Sequence, residues 1–341
     1  MIAKANMILA TISEPYCVQD KSLHISVSIG IAIYPEDGND YPSLLKNADT
    51  AMYQAKANGR NNFRFFTHQM ENLVLRRMAI ESALHDAIQF DQFSLVYQPQ
   101  ISLITEELVG VEVLLRWKNA ELANPTPDEF IPIAESNGLI VKIDHWVLTN
   151  ALQQMKVWLD SGLKPFTIAV NISSRQFWDQ NFAEFIQQAL VKAEIPGHLL
   201  ELELTERLVM HQPEFVIKIM QKLKSLGVKI SIDDFGTGYS SLSYLKRLPI
   251  NKLKIDQSFI RDIHNENDDE IIVLSIIQLA KALHKEVIAE GVETIEQKLF
   301  LANANCDTAQ GYLYAEPMLA EEFNNWLNYR TLYLNVSESN R

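Results

Sequence analysis

From residue 93 onward, short apolar or alternating runs are separated by longer stretches in which apolar residues recur at helical spacing. The runs cover 93–103, 109–117, 166–174, 199–206, 229–235, 252–259, 286–293 and 307–315. Between many of them the spacing predicts helices, over 143–158, 182–193, 214–226 and 270–283. A strand–helix–strand rhythm repeated this often calls for parallel pairing, because parallel strands need long crossovers. Eight such runs in roughly 250 residues predict a closed barrel. Only residues 104–108 join the first two runs, which suits a hairpin and not a crossover, so one strand is expected to run antiparallel. The fold class is α/β, a modified TIM (β/α)8 barrel with one antiparallel strand.

Residues 1–66 follow another pattern. Alternation over 24–34 predicts a strand, 35–40 a turn, and 41–57 a helix stopped at Asn58-Gly59. One helix and a strand or two form a small N-terminal α+β fragment that is too small to bury a core alone. A helix-compatible connector over 67–90 leads into a barrel expected to occupy 75–330, with 331–341 as a C-terminal tail.

Polar residues on the barrel runs carry the chemistry. Side chains alternate along a strand, so i, i+2 and i+4 share a face. Glu112, Leu114 and Arg116 then point one way. Ile168 and Val170 leave Asn171 facing the axis; Leu202 and Leu204 do the same for Glu203, and Ile230 and Ile232 for Asp233. Lys254, Asp256 and Glu290 complete six consecutive strands that deliver polar groups to one end, the C-terminal mouth where such barrels hold their active sites. Taken singly, a strand-end acid is a helix cap or a surface charge, and Lys254 a salt-bridge partner. Neither reading explains six strands in a row. Converging carboxylates repel unless cations hold them, and oxygen donors with an Asn amide suit hard ions such as Mg2+ or Mn2+. The adjacent pair Asp233-Asp234 suits a two-metal site, which points to phosphate-ester hydrolysis.

Composition narrows this further. The 341 residues carry a net charge of −13, which argues against a duplex-DNA or anionic-membrane binder but not against an anionic small substrate that arrives with metal ions. Two cysteines, Cys17 and Cys306, exclude a disulfide scaffold, and eight histidines without metal-ligand spacing disfavour zinc. No glycine-rich phosphate loop of the GxGxxG or GxxxxGKS/T form is present. No membrane span or signal peptide is expected, and the cytoplasm is the expected compartment.

Several motifs occur in order: Gln98-Pro99, Glu112-Val113-Leu114-Leu115-Arg116, Asn171-Ile172-Ser173 and Glu203-Leu204-Thr205-Glu206. Then come Asp233-Asp234-Phe235-Gly236-Thr237-Gly238-Tyr239-Ser240-Ser241-Leu242, Lys254-Ile255-Asp256, Glu290-Gly291-Val292-Glu293 and Gln310-Gly311-Tyr312. With these, residues 75–330 resemble the EAL domain, the bacterial cyclic di-GMP phosphodiesterase. The resemblance implies hydrolysis of cyclic di-GMP to linear pGpG with two Mg2+ or Mn2+ ions, in a homodimer formed through the barrel. It implies Glu112, Asn171, Glu203, Asp233, Asp234 and Glu290 as metal ligands, with Asp256 supporting the metal and water site. It makes Lys254 the residue that binds or deprotonates the attacking water, and Gln98, Leu114, Arg116 and Gln310 substrate-side groups. Glu206 resembles the residue that anchors the loop 235–242. Val113 stands where the family name expects Ala; by alternation it faces away from Glu112, so the change concerns packing.

Residues 1–66 resemble the final part of a GGDEF (diguanylate cyclase) domain, through the run 24–35, the run 48–56 and Gly59-Arg60-Asn61. The upstream nucleotide site is absent from this sequence, so cyclase activity is not expected of it. The strand over 25–33 is expected to lack neighbours. The alternative to an active enzyme is a catalytically silent cyclic di-GMP receptor or partner-binding module; none of the residues whose loss marks such members is missing here.

Overall fold

The computed structural model describes residues 1–19, 21–238, 242–263 and 267–339. The chain divides into two compact units, Met1–Leu84 and His85–Arg341. In the second, eight strands close into a barrel: β1 (Phe93–Ser102), β2 (Leu108–Trp117), β3 (Thr167–Asn171), β4 (Leu200–Thr205), β5 (Lys229–Phe235), β6 (Lys252–Ile255), β7 (Glu286–Ala289) and β8 (Thr308–Ala309). They neighbour one another in chain order, and β8 closes on β1. Strand β1 is antiparallel to both β2 and β8, and the remaining pairs are parallel, as the short 104–108 link requires.

Alternation builds the two faces. Val111, Val113, Ile168, Val170, Leu202, Leu204, Ile230, Ile232, Leu253 and Ile255 are buried, on the strand face opposite the polar residues. Helix Ile140–Asp160 shows the matching helical stripe, burying Ile143, Val147, Leu148, Ala151, Leu152, Met155 and Trp158. Each such aliphatic side chain contributes about 1.5–3 kcal/mol on burial, and this layer keeps the strand ends in register.

Two strands are shorter than their apolar runs. The run 252–259 ends as a strand at Ile255, because Asp256 caps a short helix, Gln257–Arg261, by accepting from Ser258 N at 3.0 Å. The run 307–315 keeps two ladder residues before the chain turns at Gly311, whose φ of +157 puts it in a region that L side chains rarely adopt. Helices Pro127–Asn137 and Ile295–Asn303 each begin with a capping box, Thr126 with Glu129 and Thr294 with Gln297; the hydrophobic spacing had not marked either. Helix Ala320–Ser339 runs through most of the expected tail.

In the first unit, helix Tyr41–Ala57 starts where expected, with Asp40 Oδ1 accepting from Ser43 N at 2.8 Å. The expected strand 24–34 is reduced to Ile29–Ile31, and it does have a neighbour, Phe63–Phe65, in parallel register. A Cβ on Gly30 would collide with Ala48 O and Met52 N, so only glycine lets this strand lie against the helix. Helix Ile2–Ile12 and the antiparallel pair Tyr16–Val18 and Lys21–Leu23 complete the unit, and helix His68–Ala87 carries the chain onward. Among the described residues no helix is long and apolar enough to cross a membrane.

Candidate active site

Inward residues of β2, β4 and β5 and the first residue beyond β7 meet around one amine, that of Lys254 on β6. Lys254 Nζ lies 2.7 Å from Glu203 Oε2, 2.6 Å from Glu290 Oε1, 3.0 Å from Asp233 Oδ1 and 3.7 Å from Glu112 Oε1. Lys254 and Glu203 are each 1% exposed. Asn171, the exposed last residue of β3, donates Nδ2 to Glu112 Oε1 at 2.8 Å, and Gln310 donates Nε2 to Glu112 Oε2 at 2.5 Å. Register explains the convergence: Asn171 stands opposite Glu203, and Glu203 opposite Ser231. Ser231 is small enough for Lys254 of β6 to cross above it to β4. One layer below, Lys252 and Glu201 repeat the pairing at 2.8 Å.

One ammonium cannot neutralise four carboxylates. Burial pushes Glu203 well above the usual carboxylate range, and the Glu112 charge adds to it. Burial likewise pushes Glu290 up to about 8 against the pull of Lys254. Glu112 goes the other way: the Lys254 charge and the amide donors of Gln310 and Asn171 outweigh burial and hold it below its ordinary value. Lys254 is buried too, yet the surrounding carboxylates raise it well above the usual lysine range and keep it charged. Among the described residues no three His, Cys, Asp or Glu side chains are disposed around one point as ion ligands, because the carboxylates close on Lys254. The donor chemistry fits a hard divalent cation nonetheless. It is all oxygen, and Glu203 Oε1 is buried without a hydrogen-bond partner among the described residues.

Two further residues shape the mouth. Asp234 follows Asp233 directly and on a regular strand would face the other side. Its φ of +53 and a register shift between β5 and β6 return it to the mouth. There partial burial and the charges of Asp233 and Asp256 raise it to about 6. Glu206, buried at the start of helix Glu206–Val209, accepts from Gly236 N at 3.0 Å. A Cβ on Gly238 would come within 2.8 Å of its Oε1. Of the segment 235–242, Glu206 thus bonds Gly236 and lies close to Gly238, while Tyr239, Ser240 and Ser241 lie outside the described residues.

The family model described as the EAL domain matches residues 81–317. The chain belongs to the EAL domain family. A second model, diguanylate cyclase, GGDEF domain, matches residues 1–62. A bifunctional diguanylate cyclase/cyclic di-GMP phosphodiesterase, MucR of Pseudomonas aeruginosa, is 43% identical over 319 residues, covering 93% of this chain and 46% of the relative. The cyclic di-GMP phosphodiesterase PdeR of Escherichia coli is 38% identical over 95% of this chain and 49% of its own length. The chain therefore spans about half the length of these curated relatives. Among solved structures, the phosphodiesterase PaMucR in its c-di-GMP complex matches with TM-score 0.70 and 42% identity, over 72% of this chain and 99% of that one.

In this EAL domain the substrate-side candidates occupy two levels. Gln98 is paired in register with Glu112, accepts from Gln310 Nε2 at 2.9 Å and donates to Ala315 O at 3.2 Å. Leu114 and Arg116 lie nearer the rim and are half-buried, with Arg116 Nη1 donating to Leu115 O at 2.9 Å. Val113, the departure from the EAL signature, is 3% exposed on the packing face. Two residues close to the site were missed. Gln100 is bonded to Gln310 at 3.1 Å, and its i+2 spacing from Gln98 was the available signal. Asp144 accepts from Ser173 N at 3.2 Å beside the Asn171 turn; it stood out only as an acid in the apolar stripe of helix Ile140–Asp160.

Proposed function

We propose that the barrel hydrolyses cyclic di-GMP, opening one phosphodiester bond to give linear pGpG, with two Mg2+ or Mn2+ ions at its mouth. The observation that carries this reading is the convergence of Glu112, Glu203, Asp233 and Glu290 on buried Lys254 at the top of an EAL barrel. Relatives named cyclic di-GMP phosphodiesterase support it, as does the likeness to a c-di-GMP complex. Glu112, Asn171, Glu203, Asp233, Asp234, Asp256 and Glu290 would hold the ions. When bound, such ions neutralise charge on the phosphate oxygens and acidify a water.

The chain's own groups take the remaining tasks. Lys254, set among these carboxylates, is assigned to bind or deprotonate the attacking water. The planar fork of Arg116 suits a phosphate oxygen. Gln98, Leu114 and Gln310 line the substrate side, and Glu206 holds the loop that borders it. A cytoplasmic location and a homodimer through the barrel belong to the same reading.

The test is incubation of cyclic di-GMP with the protein and Mg2+ or Mn2+, with pGpG followed by chromatography. Hydrolysis is expected, falling by at least about 100-fold in Glu112→Ala, and Ca2+ alone is expected not to support it because its looser coordination suits in-line attack poorly. Folded protein that binds cyclic di-GMP and forms no pGpG, with Glu112→Ala behaving identically, would favour the silent receptor.

A further inference from the structure

Beside the carboxylates lies a layer of buried amides, of which Gln100 alone has no role in the reading above. Gln98 and Gln100 share the inward face of β1, and Gln310, just beyond β8, lies beside them. Gln100 is fully buried and donates Nε2 to Gln310 Oε1 at 3.1 Å. Gln310 in turn donates Nε2 to Glu112 Oε2 and to Gln98 Oε1. A primary amide carries its acceptor on one arm and its donors on the other. The donor of Gln100 therefore engages the acceptor arm of Gln310 and leaves the donor arm for Glu112. With Gln310 turned over, a carbonyl oxygen would face the carboxylate and two donors would face each other, which a buried network tolerates poorly.

Space for Gln100 depends on Gly110, its partner across the β1–β2 ladder. A Cβ there would stand 2.8 Å from Gln100 Oε1 and 3.0 Å from Thr167 O. The glycine is a steric condition for the amide layer.

We propose that Gln100 is a positioning residue. It fixes the orientation of the Gln310 amide, so that Gln310 on Oε2 and Asn171 on Oε1 together set the plane of the Glu112 carboxylate for a divalent ion. Only the ion in that statement rests on the phosphodiesterase reading; the amide relay stands without it.

The experiment compares the full chain with Gln100→Met, Gln100→Glu and Gly110→Ala. The first removes the donor at equal length, and the second replaces it with an acceptor. The third displaces Gln100 without touching its chemistry and serves if a buried Glu prevents folding. In protein labelled with 15N-glutamine, with Gln310→Glu assigning the resonance, hydrogen exchange of the Gln310 side-chain amide is measured without added metal. It is expected to be slow in the parent and about 3- to 10-fold faster in Gln100→Met, and faster again in Gln100→Glu. Calorimetric titration with Mn2+ is expected to show a dissociation constant weakened in the same order, by about 3- to 10-fold for Gln100→Met. A purely structural role would lower the melting temperature and leave both readouts unmoved. Gln310 exchange unchanged in all three variants overturns the positioning role whatever Mn2+ does. A parent that binds no Mn2+ overturns the ion-binding reading, while the exchange measurement still decides the role of Gln100.

Discussion

Lys254 and Asp144 are opposite cases of a buried charge in one barrel. Lys254 is surrounded by carboxylates and stays charged; Asp144, 6% exposed, is met by the hydroxyl and the N–H of Ser173 and is still driven toward its neutral form. Burial pushes its carboxyl up to about 7, and the charge of Glu135 acts in the same direction. Because this lies above the ordinary 3.8, the folded protein binds the proton more tightly than the unfolded chain does. Its contribution to stability is therefore full below about pH 4 and falls as the pH rises, until the carboxyl is ionised in both states above about 7. Asp144→Asn keeps an acceptor for Ser173 N and removes the titration. In urea unfolding across a pH series, its stability advantage over the parent is expected to be near zero at pH 4 and to grow up to pH 7. Above that it levels off, at no more than about 4 kcal/mol from the pKa difference. An advantage that does not change with pH would mean that Asp144 titrates as an ordinary surface acid.

At the scale of strands and turns, whatever followed a strict period of two was legible. Glu112, Asn171, Glu203, Asp233 and Lys254 were placed inward because their apolar neighbours could only face the helices, and register then stacked them on adjacent strands. Asp234 was not legible by that rule, since neighbours on a strand face opposite ways. Its left-handed backbone is a local departure that alternation cannot encode, and only the motif resemblance reached it. Strand ends were misjudged for a related reason. Apolar spacing alone does not show where Asp256 stops β6 by capping a helix, or where Gly311 turns the chain out of β8. Glu206 joins two of these elements, reaching from its helix to Gly236 after β5. A hydrogen bond to a carboxylate of this kind holds a segment closed by about 10- to 100-fold. In Glu206→Ala, amide exchange at residues 236–238 is expected to accelerate by that factor while the interiors of β1 to β4 are unaffected, and hydrolysis of cyclic di-GMP is expected to fall. Unchanged exchange at 236–238 would show that Glu206 does not anchor this loop.

At the scale of the whole molecule, the two units differ in how much they bury. The described residues of Met1–Leu84 bury Ala5, Ala51, Ala55, Phe66, Ile80 and Leu84, three of them alanines, whereas the barrel buries an aliphatic layer along nearly every strand. Stability scales with apolar area removed from water, so the first unit has little to offset the entropy of ordering its chain. Its strands Ile29–Ile31 and Phe63–Phe65 form a two-stranded parallel sheet, an arrangement that is marginal without further cover. The net charge of −13 adds a second difference, because in the barrel part of that excess is concentrated around one ammonium, where divalent ions would relieve it. Native-state hydrogen exchange should separate the two. Amides of Ile29–Ile31 and Phe63–Phe65 are expected to exchange through openings of lower free energy than those of β1 to β5. Mn2+ at 100 times its dissociation constant is expected to raise the barrel's opening energy by about 2.7 kcal/mol and leave the first unit's unchanged. Equal protection of both units, rising together with Mn2+, would mean that the chain unfolds as one cooperative body and that the thin core of residues 1–84 is no weakness.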